Sequence, residues 1–235
     1  MLNGHKILAL IPARGGSKGL PNKNIMNLSG KPMIKWTIDE AKKLKWIDKI
    51  VVSTDSEKII DECKEPSIDI PFVRPSSLST DTASSIDVVL HALNWLENKN
   101  LYFDIIILLE PTSPLREAID IESALQLMFR ENAKSVVGVS KVVSSHPEFM
   151  YEKKENNYIV PYNKIKSSQS RRQDVDMLYY LEGSIYASFV NDFKKNKTFY
   201  HKNTIGYEVS KIKSFEIDDI EDFVIVESLL NHKFK

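Results

Sequence analysis

Short unbroken apolar runs alternate along this chain with longer segments of helical period. Ile7 to Ile11 is fully apolar and reads as a buried parallel strand. Lys31 to Leu44 then places Ile34, Ile38, Ala41 and Leu44 on one helical face, with Pro32 suited to a first turn. Lys49 to Ser53 predicts a second strand, Ser56 to Lys64 a helix capped by Ser56, and Ile70 to Val73 a short third strand. Thr82 to Leu96 carries Ile86, Val89, Leu90, Leu93 and Leu96 on one stripe and predicts an amphipathic helix. Asp104 to Leu109 is the most apolar run and predicts a central strand. It ends in Glu110-Pro111-Thr112-Ser113-Pro114, which suits neither helix nor ladder. A helix over Glu117 to Glu131 and a strand over Ser135 to Val139 follow.

This repeated strand–loop–helix order predicts an α/β fold with a doubly wound, mostly parallel sheet. Ligands of such sheets bind outside the carboxyl ends of the strands, so the loops at Arg14, Asp55, Arg74 and Glu110 are expected on one face. From about Val142 to Leu181 the helical period disappears, and tyrosines, lysines and short alternating segments replace it. Residues 142–181 therefore read as an inserted β-rich arm within a single domain spanning 1–235. An isolated hairpin is marginally stable, so the arm is expected to pair with a second subunit as a homodimer. Gly183 to Val190 returns to the sheet, Phe215 to Ile217 predicts a last strand, and Ile220 to Asn231 a final helix with an acidic start.

Composition narrows the function. With 235 residues, 42% apolar and 27% charged, the chain can bury a substantial core. Its formal net charge is zero and no basic stripe is visible, which argues against nucleic-acid and acidic-membrane partners. Cys63 is the only cysteine, so no intrachain disulfide forms. The N-terminal residues show no signal-peptide pattern and no apolar run approaches the roughly 18 residues of a membrane span. The expectation is a soluble, cytoplasmic protein. His91, His146 and His201 lack metal-ligand spacing, and His91 reads as structural.

The chemistry concentrates in Lys6 to Ile25, KILALIPARGGSKGLPNKNI. The first strand empties into a turn with Gly15, Gly16 and Gly19, which carries Arg14, Lys18 and Lys23. A glycine-rich turn alone is common. Cations gathered on one turn repel unless an anion compensates them, so a polyphosphate is the expected ligand. The pattern is neither a dinucleotide fingerprint nor a Walker A loop.

IPARGGSKGLPNKNI resembles the N-terminal signature of the CMP-sialic acid synthetases, the acylneuraminate cytidylyltransferases. RPSSLSTDTASS (Arg74 to Ser85), LLEPTSPLR (Leu108 to Arg116), RRQD (Arg171 to Asp174) and GSIY (Gly183 to Tyr186) resemble the later motifs of that family, in its order. The resemblance implies a nucleotide-diphospho-sugar transferase-like fold. It also implies a reaction: the anomeric hydroxyl of a nonulosonic acid attacks the α-phosphate of CTP, and pyrophosphate leaves, with Mg²⁺ required. Such CMP-sugars serve surface glycan biosynthesis.

By position, Arg14, Ser17, Lys23, Asn24, Arg74 and Ser85 match nucleotide-site residues, and Arg14 and Lys23 would offset phosphate charge as the catalytic cations. Glu216 and Asp218 align with the metal-binding acid pair of the family, although its first member is Asp there. Alternation in a strand would aim both carboxylates at one ion, whereas spacing alone favours a solvated acidic cluster. Arg172 matches the arginine that binds the sugar carboxylate. Glu110 and Glu182 stand where bacterial relatives often carry Gln and Asn, next to the sugar pocket. Extra carboxylates there disfavour plain N-acetylneuraminate and favour legionaminic acid, pseudaminic acid or an amino-bearing analogue. Two alternatives stay open: a transferase for another sugar such as the eight-carbon acid Kdo, and a catalytically silent nucleotide-binding protein.

Overall fold

The computed structural model describes residues 1–17, 19–143, 145–162 and 175–233. In chain order its strands are β1 (Ile7–Pro12), β2 (Asn27–Leu28), β3 (Lys31–Pro32), β4 (Lys49–Ser53), β5 (Ile105–Leu108), β6 (Ser135–Lys141), β7 (Tyr151–Lys153), β8 (Ile159–Pro161), β9 (Tyr179–Phe189) and β10 (Thr204–Glu208). Its helices are α1 (Met33–Lys43), α2 (Glu57–Cys63), α3 (Ser85–Glu97), α4 (Ala118–Arg130), α5 (Val190–Asn196) and α6 (Ile220–Lys233).

The main sheet has the order β10–β6–β9–β5–β1–β4. β1 runs parallel to β4 and β5, and β10 parallel to β6. β9 is antiparallel to both of its neighbours, so the sheet is mostly parallel with one inverted strand. Strand geometry sends alternate side chains to opposite faces. Ile7, Ala9 and Ile11 join the core formed with α1, α2 and α4, while Leu8 and Leu10 join the one formed with α3 and α5. All five are fully buried. Burying an aliphatic side chain of this size contributes roughly 1.5–3 kcal/mol, so covering both faces is what holds β1 at the centre. α6 packs through Phe223, Val226 and Leu230 onto a third cluster that contains Leu20, Met33, Leu115 and Ile217.

Helix boundaries follow the sequence signals closely. α3 starts after Ser84, whose hydroxyl accepts from Ile86 N at 3.1 Å. α4 starts with a capping box between Glu117 and Asp120. Ser56 occupies the cap of α2 but makes no side-chain cap bond. Two expected strands are absent as ladders. Ile70 to Val73 is flanked only by isolated bridges, Val51 to Asp69 and Thr54 to Val73, because Pro71 has no N–H to donate. Phe215 to Ile217 lies beside the Pro111-to-Pro114 loop and gains from it one bond, Ile217 N to Thr112 O at 2.8 Å. α5 and β10 were not foreseen, and β9 begins at Tyr179, before Gly183.

Between β6 and β9 the chain leaves the sheet, and β7 and β8 form an antiparallel hairpin whose residues are all exposed. Residues 163–174 of this segment, including Arg171 and Arg172, lie outside the described residues, as does Lys18. Among the described residues no helix is long and apolar enough to cross a membrane.

Candidate active site

The chain leaves β1 for the edge strand β4 and then crosses to β5 on the other side of β1. Strand order reverses there, which opens a crevice at the carboxyl ends of β1 and β5. A cavity in this crevice is lined by Arg14, Ser17, Lys23, Asn24, Arg74 and Ser85, together with Glu110, Pro111 and Thr112. The six positions that the resemblance matched to a nucleotide site and Glu110, expected beside the sugar, therefore share one space.

Backbone contacts shape the glycine-rich loop. Ala13 N donates to Ser53 O at 2.9 Å and Gly15 N to Asp55 Oδ1 at 2.8 Å, which binds the loop to the end of β4. A Cβ on Gly15 would lie 2.8 Å from Ser56 Cβ, and one on Gly19 would lie 2.7 Å from Asp218 O, so both positions require glycine. Asn24 is buried and its amide donates to Arg14 O at 3.0 Å. Arg14 reaches across to the loop before α3, with Nη1 on Thr80 O at 2.7 Å and Nη2 paired with Asp81 at 2.9 Å. Arg74 is 5% exposed; its guanidinium donates to Ser53 Oγ at 3.1 Å and to Ser53 O. Burial pushes its pKa down to about 10, with Arg14 adding to the effect and Asp55 opposing it. His91 packs edge-on against Phe72 with ring centroids 4.7 Å apart, and burial and Arg74 lower its pKa. That is a packing role.

Carboxylates collect at the other end of the crevice. Lys23 Nζ donates to Ile217 O at 2.8 Å and pairs with Asp218 at 3.1 Å, joining the opening loop to the C-terminal acid pair. Ile217 is fully buried, and its neighbours Glu216 and Asp218 are half-buried and exposed. Glu216 Oε1 accepts from Ser113 Oγ at 3.1 Å and sits on the backbone of Gly183, where a Cβ would collide with it. Burial, with Glu110, Asp218 and Glu182 nearby, lifts the Glu216 pKa to about 7, against the Ser113 bond. Burial likewise raises Glu110, whose carboxylate accepts from Ser85 Oγ at 3.5 Å.

Glu182, expected beside the sugar, is turned into the protein interior. It is 1% exposed, with Oε1 accepting from Ser184, and it fills the space left by Gly138 on β6. It is enclosed by protein in this arrangement. Sequence reasoning also missed an aromatic group. Tyr186 on β9 lies edge-on to Tyr200 (6.1 Å) and beside Phe199 (5.6 Å), and the negative charges of Glu110 and Glu216 act on it. Burial raises its pKa first, and those carboxylates add to the rise. The GSIY segment marked Tyr186, but Tyr200 carried no signal in the sequence.

Comparison with known proteins fits this geometry. The N-acylneuraminate cytidylyltransferase of Streptococcus agalactiae serotype V is 37% identical over 224 residues, which cover 94% of this chain and 52% of that protein. The chain thus spans about half the length of that relative. The CMP-N,N'-diacetyllegionaminic acid synthase of Legionella pneumophila is 35% identical, with 96% of both chains covered. A solved CMP:2-keto-3-deoxy-manno-octonic acid synthetase complexed with CTP shares the fold, with a TM-score of 0.70 at 17% identity, covering 97% of this chain and 99% of that one. The cytidylyltransferase family profile matches residues 8–233, and the chain belongs to the cytidylyltransferase family.

Proposed function

We propose that this chain transfers a cytidylyl group from CTP to the anomeric hydroxyl of a nonulosonic acid, releasing pyrophosphate in the cytoplasm. The observation that carries the reading is the convergence of Arg14, Ser17, Lys23, Asn24, Arg74 and Ser85 on one cavity at the strand-order reversal. Relatives named for sialic-type acceptors support it. In the reaction the anomeric oxygen bonds to the α-phosphorus, the α–β bridging bond breaks, and its electron pair leaves on pyrophosphate. Transfers of this kind depend mainly on positioning and charge compensation. Arg14 and Lys23 supply positive charge along the phosphates, and Arg74 and Ser85 lie where ribose and base would rest.

Mg²⁺ fits the residues present. Among the described residues no group of three or more His, Cys, Asp or Glu could hold a metal by itself. Glu216 and Asp218 offer two hard oxygen donors, and Mg²⁺ commonly takes one or two carboxylates plus substrate phosphates and water. Bound there with the nucleotide, the ion would offset phosphate charge. The same carboxylates destabilise the folded chain. Folding raises the Glu216 pKa from 4.5 to about 7, so its contribution to stability falls as pH rises across that interval.

The acceptor is read as a sugar acid other than plain N-acetylneuraminate. Glu110 makes no salt bridge among the described residues, so an acceptor hydroxyl or ammonium could satisfy it beside Tyr186 and Tyr200. We assign the acceptor carboxylate to Arg172 on the strength of the family resemblance alone. The arm is read as a dimer contact, because Tyr158, Ile159, Tyr162, Met177 and Leu181 are each at least half exposed.

A pyrophosphate-release assay with a panel of acceptors tests the main reading. CTP should support release with a legionaminic- or pseudaminic-type acid, and turnover with N-acetylneuraminate should be lower. Best turnover with N-acetylneuraminate contradicts the acceptor assignment, and CTP binding without release on any acceptor contradicts the enzyme. Glu216→Gln should abolish release while stabilising the fold by about 1–3 kcal/mol at pH 8, a gap that closes towards pH 4.5. Parallel melting curves against pH for the two proteins would refute that origin of the cost. Sedimentation velocity should show a dimer; a strict monomer removes the shared arm.

A further inference from the structure

Glu216 and Asp218 sit on a stretch of turns and irregular chain between β10 and α6, and two fixed points bracket Glu216. After it, Ile217 is fully buried and its N–H donates to Thr112 O at 2.8 Å. Before it, Lys213 Nζ reaches the start of α4. There it donates to Asp120 Oδ1 and Oδ2 at 2.8 and 2.7 Å and pairs with Glu117 at 2.5 Å. The side chains of Lys213 and Asp120 keep 19% and 9% of their exposure, so the pair is largely out of water. The turn that presents Lys213 closes on itself, with Lys213 N on Ser210 O at 2.9 Å and Ser214 N on the same oxygen at 3.2 Å. Ser214 Oγ also meets Tyr180 Oη at 2.8 Å, which joins the turn to β9.

A cation at a helix N-terminus opposes the helix dipole, and taking an ammonium out of water costs more still. Glu117 and Asp120 offset both costs, and they are also the two members of the capping box that starts α4. Burial lowers the Lys213 pKa, yet its bonds to Asp120 and Glu117 outweigh that and raise it above the usual lysine value. The ammonium therefore stays charged. α4 gives it a firm footing: Ala118 N donates to Glu40 Oε2 on α1 at 2.8 Å, and Ile121, Ala124, Leu125 and Met128 are fully buried.

We propose that Lys213 is a positioning residue: its ion pairs with Asp120 and Glu117 fix the turn before Glu216 to α4 and so hold Glu216 and Asp218 ready for one divalent cation, without touching it. This rests on the assignment of that acid pair to the metal. With Lys213 and Ile217 both held, the residues between them have little backbone freedom, and the Glu216 carboxylate stays against Ser113 and Gly183. Without the ion pairs the turn keeps its own backbone bonds but loses α4, and ion binding must then supply the missing order. Arg14, Arg74 and Ser85 belong to other segments, so nucleotide binding without metal does not depend on Lys213.

The test is Lys213→Met, which keeps the stem and removes the charge. Mn²⁺ binding with CTP present and acceptor absent, read from the paramagnetic resonance of the free ion, should weaken about tenfold. CTP binding in EDTA should stay within about twofold of the parent, and amide hydrogen exchange at 211–217 should quicken. Lys213→Arg keeps a cation facing both carboxylates and should bring Mn²⁺ binding back to within about threefold. Asp120→Asn leaves Glu117 as a partner and should give a smaller shift in the same direction as Lys213→Met. It answers the question if Lys213→Met does not fold. Unchanged Mn²⁺ affinity in the variant that folds overturns the proposal. Equal losses of Mn²⁺ binding and of metal-free CTP binding overturn it too, since they indicate a general structural role. A parent protein that binds Mn²⁺ with CTP but releases no pyrophosphate on any acceptor contradicts the transferase alone, and the Lys213 comparison still decides. A parent that binds no Mn²⁺ overturns the proposal.

Discussion

A fully buried arginine placed between three backbone segments is the constraint on which the Glu110 side of the crevice depends. Arg116 donates to two main-chain carbonyls and a threonine hydroxyl, so the loop after β5, strand β9 and helix α1 cannot move independently. A guanidinium removed from water needs nearly all its donors satisfied, and its fork geometry matches carbonyls on separate segments better than an ammonium would. Loop 110–116 has no ladder of its own because Pro111 and Pro114 interrupt it. It takes its shape from Arg116 and from Ile217 N on Thr112 O. Lys213, paired with Asp120 at 2.7 Å, fixes the segment before Glu216 to the start of α4.

The crevice brings cations and carboxylates together. Arg14, Lys23 and Arg74 line the cavity with Glu110, the charges of Glu110 and Asp218 act on Glu216, and Lys23 pairs with Asp218. A polyphosphate suits the cations. On the proposed function, the carboxylates would take a hard cation bound with the nucleotide and an acceptor rich in hydrogen-bond donors. Such a site destabilises the protein that builds it. Burial and mutual repulsion raise Glu110 and Glu216 above the usual carboxylate range, so function and stability pull apart at these positions.

How much was legible depended on whether a signal was local. The apolar runs at Ile7, Lys49 and Asp104 are strands because both faces are covered, and continuous apolarity reports that directly. The Arg14-to-Asn24 loop was legible because its glycines answer to close backbone approaches at Ser56 and Asp218. The burial of Glu182 was not legible because orientation on β9 cannot be counted by alternation. Gly183 at positive φ and the register shift on β6 break the count between Tyr180 and Tyr186. β10 escaped notice since an edge strand of mixed exposure has no strong period, and Tyr200 reaches Tyr186 only through tertiary packing.

On the proposed function, the crevice at the ends of β1 and β5 holds CTP with its triphosphate on the glycine-rich loop. A crystal structure of the protein with CTP and Mg²⁺ tests it most directly. Phosphate oxygens should lie within about 3 Å of Arg14, Ser17 and Lys23, the cytidine against Arg74 and Ser85, and the ion on Glu216 or Asp218. A nucleotide bound elsewhere on the molecule, or lying in the crevice with its phosphates turned away from that loop, would contradict it.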